Sequence, residues 1–100
     1  MSSAEEYLKD TALEQLSQLP AKLTVLNNIN VDSAALTDAQ VEQLSGFITW
    51  ASYAKNHVSL AALVSTRPDI QDGMRKLNEF ENLARWKKER NETLNRSGRK

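Results

Sequence analysis

One hundred residues, 40% of them apolar and 26% charged, describe a single small domain with room for one hydrophobic core. Thirteen basic residues balance thirteen acidic ones, which argues against a generic polyanion binder and against an acidic mimic of DNA. The absence of cysteine excludes a disulfide scaffold, a thiolate metal site and thiol catalysis, and no apolar run is long enough to span a membrane.

The zero net charge hides an asymmetry. Residues 1–50 carry two lysines against seven acids, whereas residues 51–100 carry eleven bases against six acids. The opening Met1-Ser2-Ser3-Ala4-Glu5-Glu6 is acidic and lacks the apolar stretch of a secretion signal, so the expected location is the cytoplasm. Leu8, Ala12, Leu16, Leu19, Leu23 and Leu26 then recur at steps of three and four, which predicts an amphipathic helix over roughly residues 3–27. Pro20 falls inside it, so a kink or two short helices sharing one buried face are expected. Residues 29–36 read as a loop whose Ile29 and Val31 plug the edge of the core.

Thr37-Asp38-Ala39-Gln40 is a capping box that starts the next helix. Val41, Leu44, Ile48, Ala51 and Val58 make its inner face, with a break expected at Asn56-His57 and a short continuation through Val64. Pro68 suits the first turn of a third helix, and Asp69 and Asp72 suit the positive end of its dipole. Ile70, Met74, Leu77, Phe80, Leu83 and Ala84 form its stripe, and Asp72–Lys76 and Glu81–Arg85 are supporting i,i+4 pairs. Beyond Trp86 the apolar stripe stops, save for Leu94. The expected fold is all-α: a small antiparallel bundle of three to four helices over residues 1–86, with a basic C-terminal helix end and tail over 87–100.

Chemistry finds little purchase here. His57 is the one histidine, and no motif brings it a nucleophile or an orienting acid, so no catalytic residue is assigned. One histidine without cysteine leaves no zinc site, and Asp69, Asp72 and Gly73 lack the alternating acids and terminal glutamate of a calcium loop. Three isolated glycines make no phosphate loop. No metal, cofactor or small-molecule substrate is therefore expected, and neither is a membrane. The sequons at Asn91 and Asn95 read as chance matches.

Two features stand out. Between Gln43 and Thr66 only Lys55 is charged, although a surface helix normally carries charge on its outer side. Ser45, Thr49, Ser52 and Asn56 form a stripe of small polar groups there, rimmed by the aromatics Trp50 and Tyr53. This face is the expected contact with another protein or with further copies of the chain. The second feature is a basic arm around one indole: Arg85, Trp86, Lys87, Lys88 and Arg90. It suits an acidic partner surface or, as the second choice, nucleic acid through phosphate contacts and stacking, although Glu89 and Glu92 interrupt it. The expected function is a non-enzymatic binding module: an adaptor, an inhibitor or a structural component of a larger assembly, viral ones included. The alternative is a nucleic-acid-binding accessory protein.

Overall fold

The computed structural model describes residues 3–32 and 35–98, in which every regular element is an α-helix. The leucine stripe of the N-terminal segment folds as α1 (Ser3–Ser17) and α2 (Leu19–Asn27). They are separated only at Gln18, because Pro20 has no N–H to continue the ladder yet is tolerated in the first turn of a new helix. Their shared face survives the break: Ala12, Leu19 and Leu26 are buried, with Leu8, Leu13 and Leu16 packed beside them. Ile29 and Val31 are buried at the end of α2, as their place in the loop predicts.

The helix α3 (Asp38–Val64) begins at the expected capping box. The Gln40 N–H donates to Thr37 Oγ1 at 3.1 Å, and the Thr37 N–H donates to Gln40 Oε1 at 3.0 Å. The expected break at Asn56-His57 does not occur. Neither residue is a glycine or proline, and the buried Ala54, Val58 and Ala61 on either side hold one continuous helix against its neighbours. Beyond Val64 the chain turns at Ser65, where the Gln71 side-chain amide donates to the carbonyls of Ala62 and Ser65. Helix α4 (Pro68–Gly98) follows. It runs unbroken through residues 86 and 87, so no change of backbone marks the boundary expected there. The side chain of Arg96 and residues Arg99 and Lys100, which end the basic tail, lie outside the described residues.

Ser52 meets Glu81, Lys55 meets Asn78, and Gln71 reaches the Ala62 carbonyl, so α3 and α4 run antiparallel in one constant register. Leu16 packs on Gly73 and the carbonyl of Leu26 receives Lys87, so α1 and α2 run parallel to α4. The bundle is a rod of 63 × 17 × 17 Å. Its two long helices account for most of that length at about 1.5 Å per residue. No helix among the described residues is long and apolar enough to cross a membrane.

The inner seam of α4 keeps a strict three–four spacing: Ile70, Gly73, Leu77, Phe80, Ala84, Lys87 and Asn91, all buried. Its apolar part ends at Ala84, but the seam does not. Lys87 and Asn91 continue it with polar groups aimed at the linker between α2 and α3. Lys87 Nζ donates to the carbonyl oxygens of Leu26 and Ile29 at 2.6 and 2.7 Å, and the Leu36 N–H donates to Asn91 Oδ1 at 2.9 Å. Backbone groups left over at a helix end need partners, and here a distant helix supplies them.

Candidate protein-binding surface

Two rows of side chains with the same spacing run along α3. The inner row is Leu44, Phe47, Ala51, Ala54, Val58 and Ala61, all buried. The outer row is Gly46, Thr49, Tyr53, Asn56, Leu60 and Leu63, all exposed. A displacement of two residues turns about 200° around a helix, so the rows face opposite directions. Tyr53 is 57% exposed, Leu60 49% and Leu63 80%, and Val64 lies alongside. Gly46 is open: a Cβ added there would meet nothing within 4 Å.

The flanks of α3 are already engaged. Toward α4, Glu81 is buried and takes Lys55 on Oε1 at 2.8 Å, with the guanidinium of Arg85 on Oε2 at 2.7 Å. The Ser52 hydroxyl donates to the same Oε2 at 3.4 Å. Burial by itself would raise the Glu81 carboxyl, but the hydrogen bonds and charges of Lys55 and Arg85 outweigh it and hold the group below the ordinary glutamate range. On the other flank, Trp50 packs edge-on against Phe80 of α4 at a centroid distance of 5.6 Å, under the Lys22 ammonium of α2 at 4.9 Å.

The predicted contact residues therefore do not share one exposed face. Thr49, Tyr53 and Asn56 lie on the outer row, with Tyr53 edge-on to His57 at 4.5 Å. Ser45 and Ser52 are half-buried at the α4 seam, where Glu81 draws in Ser52, and Trp50 is turned to the opposite flank. A helical wheel fixes only relative angles. The neighbouring helices set the absolute rotation, which swings the free face toward Gly46, Leu60 and Leu63. The signal that finds those three is the second heptad row, displaced by two residues from the first and free of charge.

The basic arm is equally divided. Arg85 is committed to Glu81, Arg90 Nε lies 3.6 Å from Asp32, and Lys87 is 8% exposed with its ammonium on two carbonyls. Burial pushes that ammonium below the ordinary lysine range, against the pull of Asp32. Lys87 is thus removed from any surface arm. Trp86 remains half-exposed, and Lys88 lines a shallow polar groove between α3 and α4. That groove, about 310 Å³, brings Ser45 and Thr49 of the stripe beside Arg85 and Lys88 of the arm, and Glu89 and Glu92 balance its charge. At the other end of α4, Asp69 is bound by Arg67, and Asp72 by Arg75 and Lys76, and these pairs lower both carboxyls. Comparison of the chain with protein-family models, with curated proteins and with solved structures finds no match.

Proposed function

We propose that the chain is a non-enzymatic protein-binding module, an adaptor, inhibitor or assembly component, that works through the outward face of α3. The observation that carries this reading is a helix face exposed from Gly46 to Leu63 that bears no charge and presents Tyr53, Leu60 and Leu63 to solvent. Charged residues are depleted and aromatics enriched in the cores of protein interfaces, and clustered exposed apolar side chains mark such sites. The engagement of Arg85, Lys87 and Arg90 within the bundle weighs against the basic arm as the principal contact.

The test is affinity capture from an extract of the source cell, with and without nuclease, comparing the natural chain with Thr49→Arg/Tyr53→Arg. Both substituted residues are exposed, so the fold should survive the change. A stoichiometric protein partner that survives nuclease and is lost with the double variant is the expected result. Recovery that collapses with nuclease and is indifferent to the variant would move the function to nucleic acid and to the surface around Trp86 and Lys88.

A further inference from the structure

Resting on the protein-binding reading, we infer that the partner of the α3 outer face is a second copy of this chain, packed antiparallel. The argument comes from how the six residues of the row differ in size. The N-terminal end of the row is small (Gly46, Thr49), the centre is polar and aromatic (Tyr53, Asn56), and the C-terminal end is large (Leu60, Leu63). Set parallel, two copies would oppose glycine to glycine at one end and leucine to leucine at the other. The result would be a void at one end and crowding at the other. Set antiparallel about a two-fold axis between Tyr53 and Asn56, every layer is complementary. Gly46 receives Leu63 of the second copy, Thr49 receives Leu60, and Tyr53 meets Asn56, with each layer repeated by symmetry.

Four further observations fit this occupant. The open space over Gly46 is the hole that Leu63, the most exposed large apolar side chain among the described residues, would fill. The row and its serine-rich flank (Ser45, Ser52, Ser59) carry no charge, so two identical faces meet without repulsion, which a charged face could not do with itself. Tyr53 and Asn56, at the axis, bring a phenol and an amide into the same layer. A polar pair at that position favours this register, because a heptad slip toward the C-terminal ends buries it against Leu60 and Leu63, and the opposite slip moves Leu63 off the open space at Gly46. One step beyond the row, Glu42 comes to the end of the second copy's α3, where Arg67 lies.

The contact is about 26 Å long and about one helix wide, small beside the roughly 800 Å² per partner of a standard stable interface. The dimer is accordingly reversible and concentration-dependent rather than permanent.

The test uses the purified full chain. Sedimentation should show a monomer–dimer equilibrium below about 1 mM, and Leu63→Glu should weaken it about tenfold or more while leaving the melting of dilute protein unchanged, since Leu63 is exposed in the single chain. Orientation is read from Gly46→Cys and Leu63→Cys, made separately in a chain with no cysteine of its own, and a short thiol-to-thiol cross-linker. The mixture of the two variants should cross-link, and neither alone should. A chain that stays monomeric to about 1 mM, a dimer indifferent to Leu63→Glu, or cross-linking of each variant with itself would each overturn the inference. Capture of a different protein, with the chain itself monomeric, would remove the second copy as partner but leave the protein-binding reading standing. Failure of both experiments would remove both.

Discussion

The inner seam of α4 and the outer face of α3 handle polarity in opposite ways. Helix α4 is rich in charge, yet it turns Glu81, Lys87 and Asn91 inward, each less than a tenth exposed. Helix α3 has a single charge between Gln43 and Thr66, yet it turns Tyr53, Leu60 and Leu63 outward. The polar groups of α4 answer needs elsewhere in the bundle. Lys87 and Asn91 satisfy backbone groups of residues 26–36, and Glu81 joins Lys55 of one helix to Arg85 of another turn. The apolar groups on the α3 face answer no need within the chain. The two buried charges, Glu81 and Lys87, serve the bundle, and the face on which the proposed partner would sit is one without charge.

The largest effect that could break this contrast is at Lys87. Hydrogen bonds from charged donors are each worth about 1.5–3 kcal/mol, and Lys87→Met removes two of them: the Ile29 carbonyl loses its partner, while the Leu26 carbonyl keeps only the Ile29 N–H at 3.2 Å. A loss of about 3 kcal/mol, or more than about 10 °C in melting temperature, is expected for a domain of this size. Lys88→Met, one residue on and half-buried at the groove, should change stability by less than about 0.5 kcal/mol. Thermal melts of the two variants decide the matter. Equal, small losses would mean that α4 does not hold the linker and that its basic residues are free for other work.

Those two neighbouring lysines also show what the sequence reveals and what it hides. Features governed by residues within four positions of each other are legible. They include the break before Pro20, the capping box at Thr37, the helix start at Pro68, and the Asp72–Lys76 and Glu81–Arg85 pairs, all present as expected. Features decided by distant neighbours are not. Lys87 reads as one member of a basic run until α2 arrives with carbonyls from 61 and 58 residues away. Trp50 and Tyr53 look equivalent on the rim of one stripe until the Phe80 ring and Lys22 claim Trp50. The two opposed rows of α3 also blur each other, because a second uncharged row on the far side, ending in Leu60 and Leu63, weakens the one-sided periodicity by which a single face is recognised.

Glu81 sharpens the contrast through pH. Its carboxyl is held below the ordinary range in the folded chain, so the unfolded chain takes up the proton first as acid is added. The stabilisation is therefore complete above the ordinary glutamate range of the unfolded chain, and is lost as pH falls through the lower folded value. The variant Glu81→Gln should be less stable at pH 7 by about 1–3 kcal/mol. That is at or below the usual range for a broken buried pair, because Lys55 and Arg85 reach partly into solvent and recover hydration. It should also lose part of the acid dependence, with the remainder contributed by the exposed Asp69 and Asp72 pairs. Melts of both chains from pH 7 down to pH 2.5 would show the two curves converging at the acid end. Parallel curves would mean that Glu81 titrates alike in both states and that the buried network is not a net source of stability.

The smallest effect expected is a difference in sign between two glycines. At Gly46 a Cβ meets nothing within 4 Å, so Gly46→Ala should gain up to about 1 kcal/mol from helix propensity alone. At Gly73 the same Cβ would stand 2.7 Å from both terminal methyls of Leu16, where α1 packs on α4. The propensity gain there is offset by about 1–3 kcal/mol of overpacking, so Gly73→Ala should come out destabilised by about 1 kcal/mol. Denaturant unfolding at concentrations too low for self-association separates the two. A stabilised Gly73→Ala would show that Leu16 swings aside freely and that the α1–α4 seam is loosely packed. A destabilised Gly46→Ala would show that the outer face of α3 is covered even in the single chain, and the spare surface on which the proposed function rests would not exist.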